Sequence, residues 1–393
     1  MKLLMITGDR SLAEGKRGAF YNTLEEFHKY WVRIDIICPK VSRGSTSGGF
    51  EVEPLFGNVF IYHSPWPLWL QPFWILKKGR EIYREHKFDL MTVHEYPPFY
   101  NGIGARLLWS KINPVKYRGA VTPRGLFDGV NIPYILEIHH IPGHPRASDF
   151  KEWLYKIATR FFIKYDAAKA KAVRVVNQHQ VPEFLVKAGV PKEKIAYIPS
   201  FYIDLDIFKP MNLQKKYDLI FVGRLAKNKG LDLLLEAVSK LKIQISNFKL
   251  LIVGTGLLTK SLKFKIKNLK LQDNILLHGW ANSSQEVAEL INKSKILVMP
   301  SFNEGGPRVV LEAMACGVPV LATPVGIVPD VIKDGESGGI IDWNPMDISK
   351  KAQELLENSG KYQKYLANGL EIARHFEKRD AIKNYAEKLQ KLL

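Results

Sequence analysis

A short apolar run followed by a glycine-containing loop and a helical pattern predicts one unit of a parallel α/β fold, and this chain shows such a unit late in its sequence. Residues 295–300 (K-I-L-V-M-P) are short enough for a buried parallel strand, and a helix-forming composition begins after Pro307. Proline suits a first helical turn, and Gly317 suits the left-handed stop after the last turn. We therefore predict a helix over about 307–316, with its preceding loop at the carboxyl end of a strand.

The loop in this unit carries Glu304, Gly305 and Gly306, and Glu312 follows on the helix. Glycines let a ligand approach the amide N–H groups that point out of a helix N-terminus and favour an anion. Two carboxylates beside such a site suit a ligand with a phosphate between hydroxyl groups, and a hydrogen bond to a charged group contributes roughly 1.5–3 kcal/mol. The alternative is a solvated loop glutamate and a helix-surface glutamate paired with a lysine. This segment alone favours neither.

A second unit of the same kind begins at Tyr217, where Y-D-L-I-F-V-G predicts a buried strand and a helical pattern follows from Leu231. Arg224 and Lys229 lie between the two, where a diphosphate would be held. The planar fork of arginine and the point charge of lysine both suit phosphate oxygens. Solvated basic residues in a turn are the alternative, but their position beside a matching glutamate loop favours a shared diphosphate site.

These segments together resemble the family-4 retaining glycosyltransferases of GT-B fold, and the resemblance spans most of the chain. The matching pieces occur in order: G-V-P-K-E-K-I-A-Y-I-P at 189–199, F-V-G-R-L at 221–225, I-V-G-T-G at 252–256, H-G-W at 278–280, E-G-G-P and L-E-A-M-A-C-G-V-P-V within 304–320, and V-G-I-V-P-D-V-I-K-D-G at 325–335. The resemblance implies an α/β protein with two Rossmann-like, doubly wound domains that face each other across a cleft and close on the donor.

The resemblance and the alternation of strands and helices together predict that the chain is divided into three parts. Residues 1–204 would form an acceptor-binding domain and residues 205–375 a nucleotide-sugar-binding domain. Residues 376–393 would form a helix that packs back on the first domain.

The resemblance also implies roles for individual residues. Arg224 and Lys229 would neutralise the leaving diphosphate, Glu304 would hold hydroxyls of the transferred sugar, and Glu312 would accept a hydrogen bond from the ribose. Arg308 either adds a positive charge near the phosphate or is a solvated first-turn residue. The full set of residues expected around the donor adds Gly254, Gly256, His278, Gly279, Trp280, Gly305, Gly306, Pro307, Arg308 and Val309.

Two further expectations concern the first domain. The segment P-Y-I-L-E-I-H-H ends in His139, which the resemblance implies contacts the sugar near the reacting carbon; His140 and a purely structural strand-end histidine are the alternatives. The first loop reads G-K-R-G-A-F at 15–20, and only Gly18 stands where a glycine near the diphosphate and the acceptor is expected.

The net charge of +18 favours an anionic partner or an anionic surface. The sequence has no zinc finger, helix-turn-helix signature or aromatic-interleaved RNA motif, so we expect no nucleic-acid partner. Anionic lipid or a lipid-phosphate-linked acceptor fits better. Residues 64–80 support this, because aromatic residues precede basic ones as at a membrane interface: Trp66, Trp69, Phe73 and Trp74, then Lys77, Lys78 and Arg80. The alternative is that these aromatics pack in the core or line an acceptor cleft.

Composition fits a two-domain globular protein. The chain has 393 residues, of which 46% are hydrophobic, without a long apolar run. Cys38 and Cys316 are the only cysteines, so neither a disulfide framework nor a cysteine metal site is indicated. We expect a cytoplasmic enzyme that contacts the cytoplasmic face of a membrane peripherally. The Gly/Ser-rich residues 40–49 predict a loop.

The resulting hypothesis is a retaining hexosyltransferase that moves a sugar from a UDP- or GDP-sugar to a hydroxyl of a glycan or lipid-linked glycan. No cofactor and no metal are predicted, because Arg224 and Lys229 would fill the charge role of a divalent ion. The alternatives are a GT-B-like nucleotide-sugar epimerase, a phosphorylase that needs pyridoxal phosphate, and a noncatalytic nucleotide-sugar-binding protein. A dinucleotide-dependent oxidoreductase built on G-T-G at 254–256 is disfavoured, since a suitably placed third glycine is missing.

Overall fold

The computed structural model describes residues 1–41, 54–113 and 132–393. The predicted loop at 40–49 lies outside the described residues from position 42 onward. The strands are β1 (Lys2–Ile6), β2 (Arg33–Cys38), β3 (Val59–His63), β4 (Leu90–His94), β5 (Tyr134–Ile138), β6 (Ala172–Val175), β7 (Ile195–Tyr197), β8 (Tyr217–Val222), β9 (Leu250–Val253), β10 (Ile275–Gly279), β11 (Ser294–Met299), β12 (Val320–Ala322) and β13 (Gly339–Ile340).

Thirteen α-helices connect and cover these strands in the described part of the chain. They are α1 (Ala19–Phe27), α2 (Gln71–His86), α3 (Tyr100–Ile112), α4 (Phe150–Ala167), α5 (Gln180–Lys187), α6 (Leu231–Gln244), α7 (Thr259–Asn268), α8 (Ser284–Asn292), α9 (Arg308–Ala315), α10 (Val328–Val331), α11 (Pro345–Glu357), α12 (Ser359–Arg374) and α13 (Lys378–Gln390).

The strands form two separate parallel sheets. The first has the order β3-β2-β1-β4-β5-β6-β7, and the second has the order β10-β9-β8-β11-β12-β13. The strand order reverses beside β1 in the first sheet and beside β8 in the second. Loops diverge at such a switch point and leave a crevice outside the carboxyl ends of the strands. Two doubly wound sheets confirm the predicted α/β class.

The unit that contains the two glutamates follows its local sequence signals. Helix α9 spans Arg308–Ala315, Pro307 is its N-cap, and Gly317 adopts a φ of 67°. A β-carbon is unfavourable at that φ, so glycine is the residue that best ends the helix there. The carboxyl end of β11 and the first turn of α9 therefore hold the glutamate loop between them.

The last helix leaves the second sheet and lies on the first. Helix α13 packs against α1, and the Tyr385 ring stacks on Phe27 with centroids 4.8 Å apart. Ile203, in the connection between the sheets, pairs with Glu377 just before α13. Apolar residues of α13 share one core with α1 and with strands of the first sheet: Ile382, Tyr385, Ala386 and Leu389. The chain thus crosses between the two halves twice at the same place.

The aromatic stretch at 64–80 is divided between core and surface. Trp74 is buried in the first domain's core, and Trp66 packs edge-on against it with centroids 5.8 Å apart. Trp69 and Phe73 are exposed. Trp74 is therefore a core residue, as the alternative interpretation predicts. Trp69 and Phe73 agree with the surface interpretation. Among the described residues, no helix combines the length and hydropathy that a bilayer crossing needs.

Two buried carboxyl groups meet beside Gly102 in helix α3. A β-carbon at Gly102 would collide with both Glu95 and Asp166, which places the two carboxyl groups on either side of it. Burial raises the pKa of Asp166 to about 7, against an opposing effect of Arg106. Burial and the charge of Asp166 also raise the pKa of Glu95 well above its usual range.

We expect this pair to make the protein less stable as the pH rises from about 4 to about 7. In that window Asp166 ionises in the unfolded chain but stays protonated in the folded one, so the folded state binds more protons. For Asp166 alone, the free energy of unfolding then falls by up to about 1.4 kcal/mol per pH unit. Urea unfolding at several pH values should show that the free energy of unfolding declines less steeply with pH in Asp166→Asn than in wild type. The exposed Asp232→Asn is the control and should keep the wild-type slope, whereas equal slopes in all three proteins would contradict the prediction.

Candidate active site

The basic and acidic residues predicted for the donor meet at neighbouring strand ends. Strands β8 and β11 pair in parallel, so their carboxyl ends lie at one edge of the second sheet. The Lys229 ammonium forms an ion pair with Glu304, whose Oε1 also accepts a 3.0 Å hydrogen bond from Ser301 Oγ. Arg224, which follows β8, is exposed at the same edge. The predicted cation and the predicted carboxylate thus meet at one edge of the second sheet.

Glycines in the loops after β8 and β9 permit close backbone contact. Gly254 has a φ of 132°, and a β-carbon there would collide with the carbonyl of Gly223. A β-carbon at Gly256 would collide with the carbonyl of Leu225 in the same way. The two glycines, both predicted donor residues, therefore allow the loops after β8 and β9 to pack closely against each other.

Gly305 and Gly306 serve a contact that the sequence analysis did not predict. A β-carbon at Gly305 would collide with the His139 carbonyl, and one at Gly306 would collide with the Phe201 ring. Close packing thus gives both glycines a structural reason, and their predicted approach to a ligand stays a prediction. The close packing arises because the glutamate loop touches both the first domain and the connection between the domains.

The segment predicted to bound the base forms an open shelf. His278 Nε2 lies 3.3 Å from Glu286 Oε1, and Gly279, with a φ of 86°, accepts a 2.6 Å hydrogen bond from the Gly254 amide. The Trp280 ring is exposed and free to stack. These residues lie at the ends of β9 and β10, next to β8 in the same sheet.

The first turns of α9 hold the remaining donor residues. Pro307 is buried and Val309 is half-buried against the core. Burial raises the pKa of Glu312, and the positive charge of Arg308 acts against this increase. Arg308 is not a solvated residue, because its guanidinium carbon lies 4.3 Å from the centre of the Tyr202 ring. Its positive charge is held between the connection and α9.

The facing wall of the cleft is built on a buried ion pair. Glu137 and Arg174 are buried and pair with each other, and Arg174 Nε donates a 2.8 Å hydrogen bond to the Ile198 carbonyl. Tyr385 of α13 donates a 3.2 Å hydrogen bond to Glu137 Oε2. Burial alone would raise the pKa of Glu137, but Arg174, aided by His94, holds it well below the usual range.

His139 lies on top of this pair with its side chain 43% exposed. Its Nε2 is 3.0 Å from Arg174 Nη1 and 3.3 Å from Glu137 Oε2. Desolvation, together with the charges of His94 and Arg174, lowers the pKa of His139 to about 4, so the ring is neutral at pH 7. Arg174 only donates and the Glu137 carboxylate only accepts, so these two contacts of Nε2 favour opposite tautomers of the neutral ring.

His140 faces the other domain. Its Nε2 lies 3.1 Å from Asn303 Oδ1, and burial lowers its pKa against the opposing charge of Glu304. The structure thus brings both candidate histidines to the cleft, with different neighbours. Gly18 is the N-cap of α1 at the carboxyl side of β1, on the same edge of the first sheet.

Asn303 joins the two walls, and the sequence analysis did not identify it. This buried side chain donates hydrogen bonds to the Arg146 carbonyl (2.9 Å) and to Glu152 Oε2 (2.8 Å) while its oxygen faces His140. The residue directly precedes Glu304, so the glutamate loop is fixed to the first domain. Its place beside a candidate glutamate was the only signal in the sequence, and that does not reveal partners more than 150 positions away.

Comparisons with known proteins assign this chain to a family. The model of the family described as glycosyl transferases group 1 matches residues 203–372. An uncharacterized glycosyltransferase of Methanocaldococcus jannaschii, MJ1178, is 30% identical over 313 residues, which cover 76% of this chain and 74% of that relative. The chain belongs to the glycosyl transferases group 1 family.

This group 1 glycosyltransferase also resembles better-described proteins. The putative colanic acid biosynthesis glycosyltransferase WcaL of Escherichia coli is 31% identical over 44% of this chain and 43% of its own length. Sucrose-phosphate synthase of Thermosynechococcus elongatus aligns with a TM-score of 0.72 at 17% identity, covering 100% of this chain and 98% of that one. Anabaena HepE, solved with UDP-glucose, aligns with a TM-score of 0.70 at 17% identity over the full length of both. These structural likenesses confirm the GT-B fold.

Family and fold together confirm the predicted hexosyltransferase that takes its sugar from a nucleotide sugar. The retaining course of the reaction, the acceptor and the individual roles of the site residues stay predictions.

One group of residues in this glycosyltransferase has the composition of a metal site. Potential ligand atoms of His94, Glu137 and His139 lie within 4.8 Å of one another. The Arg174 guanidinium contacts both Glu137 and His139, so a fixed positive charge already occupies the position that a cation would need. These residues do not fit a metal ion.

Proposed function

We propose that this glycosyltransferase transfers a hexose from a UDP- or GDP-sugar, with retention at the anomeric carbon, to a hydroxyl of a glycan or lipid-linked glycan. The observation that carries the proposal is the pairing of Lys229 with Glu304 at the strand ends, beside Arg224 and across from His139. UDP-sugars are the first donors to test, because Anabaena HepE was solved with UDP-glucose. No cofactor and no metal enter the proposal.

Donor binding would separate the Lys229–Glu304 pair. The diphosphate takes Lys229 and Arg224, whose positive charges offset the two negative charges of the leaving group. Glu304 is then free to accept hydrogen bonds from the sugar hydroxyls. Glu312 accepts from the ribose, and the exposed Trp280 shelf supports the base.

Transfer itself requires no protein nucleophile in this proposal. The bond between the anomeric carbon and the diphosphate oxygen breaks, and the acceptor oxygen bonds to that carbon from the same face. The acceptor proton passes to an oxygen of the departing diphosphate. The neutral His139 lies beside the sugar near the reacting carbon, and Glu304 acts by position and charge rather than as a base.

Of the two proposed acceptors, the surface of the first domain favours the lipid-linked glycan, which lies at a membrane. Trp69, in the turn before α2, and Phe73, in the first turn of α2, are exposed, and the exposed basic residues Lys77 and Arg80 follow on that helix. Aromatic residues beside cations suit the interface of an anionic membrane. We propose peripheral contact there, at the cytoplasmic face, and no nucleic-acid partner.

A thermal-unfolding panel of nucleotide sugars tests the donor. A donor at a hundred times its dissociation constant should stabilise the protein by about 2.7 kcal/mol, whereas NAD should give no shift. The Trp280→Ala variant should lose part of the shift given by the matching donor. The exposed Trp69→Ala, distant from the second sheet, is its control and should keep the full shift.

Turnover separates the proposal from its alternatives. A glycosyltransferase consumes the donor only when an acceptor is present, an epimerase converts the donor without one, and a noncatalytic binding protein shows the thermal shift without turnover in any acceptor screen. Product with inverted anomeric configuration would contradict the retaining course.

A further inference from the structure

Helix α4 carries its apolar stripe on the outside of the protein. An α/β helix normally buries such a stripe against the sheet. Here the buried residues Thr159, Ile163, Asp166 and Ala167 occupy one side of the helix. Large apolar residues at spacings of four and seven lie on the opposite side and are exposed: Phe150, Leu154, Phe161 and Tyr165. The exposed Trp153 stacks on Phe150 at the edge of this stripe, whereas the Phe162 ring stacks on the buried Phe99.

The charges on α4 are divided between the same two sides. Glu152 and Asp166, the acids on the inward side, meet protein groups: Glu152 accepts from Asn303, and Asp166 lies beside Glu95. The exposed Lys151, Arg160 and Lys164 border the apolar stripe. A partner for this surface must therefore be apolar and anionic together, which describes the interface of a bilayer with anionic lipids.

Helix α4 is also placed where a membrane-bound acceptor would enter. It follows β5 and the two candidate histidines, and its N-cap Asp149 accepts a 3.0 Å hydrogen bond from the Glu152 amide. Since Glu152 also holds Asn303, the first turn of α4 lies at the cleft, and the stripe leads outward from there over 18 residues, about 27 Å.

The exposed aromatics Trp69, just before α2, and Phe73, on α2, lie on the same side of the first domain as α4. Trp74 of α2, Leu108 of α3 and Ile163 of α4 share one core cluster, so these helices cover the same face of the sheet. Both α2 and α4 begin after strands of a parallel sheet, and hence at its carboxyl edge. Trp69 and the first turn of α4 therefore lie at the same edge of one face.

We propose that the exposed stripe of α4 inserts into the interface of an anionic bilayer and so brings the cleft to a lipid-linked acceptor. The inference rests on the acceptor proposed above, and it assigns the docking to a helix rather than to the 64–80 segment alone. Aromatic residues enter the boundary between headgroups and acyl chains, and the bordering cations meet lipid phosphates.

Vesicle flotation of the full chain tests the inference. Wild type should bind phosphatidylcholine vesicles that contain phosphatidylglycerol and bind those without it much more weakly. Phe150→Ser/Phe161→Ser should lower the partition coefficient by at least about tenfold, because two large apolar side chains no longer leave water. Phe264→Ser on α7 is the matched control, since it is 65% exposed, against 74% and 73% for the two α4 residues, and also lies among lysines. It should bind as wild type does.

A charge-reversed protein, Lys151→Glu/Arg160→Glu/Lys164→Glu, should lose the preference for phosphatidylglycerol. The inference is overturned if wild type does not float with the anionic vesicles, or if Phe264→Ser lowers binding as much as the α4 change. It is also overturned if wild type is a dimer that the α4 change dissolves, because a second copy then covers the stripe.

The nucleotide-sugar thermal shift, measured on the same proteins, keeps the two proposals apart. A shift without flotation contradicts only the docking of α4. Flotation without any shift contradicts only the proposed donor chemistry. All substituted positions are exposed, so circular dichroism should show a wild-type fold throughout.

Discussion

Replacing Lys229 by alanine should lower the rate of sugar transfer by about 10²–10³-fold, the usual effect of losing one fixed group that stabilises transition-state charge. Lys229 forms an ion pair with Glu304 in the candidate donor site. Negative charge on the diphosphate grows as the glycosidic bond breaks, so kcat should fall more than donor affinity. Steady-state kinetics with the matching donor measures both.

Lys227→Ala is the control for this prediction. Lys227 lies in the same turn, is exposed, and forms a weak 3.5 Å ion pair with Asp149. We expect its turnover to stay within about twofold of wild type, since exposed ion pairs contribute only about 0–1 kcal/mol. Near-normal turnover in Lys229→Ala would refute the assigned role, provided that its thermal unfolding matches that of the control.

Replacing Arg174 by methionine should lower the free energy of unfolding by about 3–5 kcal/mol, the usual cost of leaving one partner of a buried ion pair alone. Glu137 would keep its hydrogen bond from Tyr385 but lose the guanidinium that compensates its charge. Urea unfolding at pH 7 measures the loss.

The pH dependence of this loss has a definite sign. The folded pKa of Glu137 is held below the unfolded value, which is about 4.3. The stabilisation from Arg174 is therefore fully present above that pH and is lost as the pH falls towards the folded pKa. The difference between wild type and Arg174→Met should be largest near neutral pH and narrow on acidification.

Two further variants decide how the loss is interpreted. Lys361→Met removes a half-exposed 2.8 Å ion pair with Glu354 and should change stability by less than about 1 kcal/mol. Glu137→Gln/Arg174→Met removes both buried charges and should recover part of the stability. If Arg174→Met is as stable as Lys361→Met, or if the double variant recovers nothing, the unpaired carboxylate is not the cause.

The sequence predicted the features that depend on local pattern. Apolar runs and flanking glycines gave α9 to within a residue at each end, because Pro307 and Gly317 act on their immediate neighbours. The meeting of Lys229 with Glu304 followed from one rule, that neighbouring parallel strands end at the same edge.

Features set by distant contacts could not be predicted in this way. Asn303 finds its partners in the other domain, and Tyr385 reaches Glu137 across 248 positions. No residue spacing in the sequence predicts either of these contacts. Gly305 was identified as important for a different reason, because a residue without a side chain looks the same whether a ligand or a carbonyl comes close.

The position of α13 has a consequence for folding during synthesis. Ile382, Tyr385 and Leu389 complete a core of the first domain, yet the ribosome makes them only after the whole second sheet. At about 5–20 residues per second, on the order of ten seconds or more separate the two events. During that interval the core face around Phe27 lacks its cover and the buried Glu137 lacks its hydroxyl donor, so the first domain completes its packing only after the second has been made.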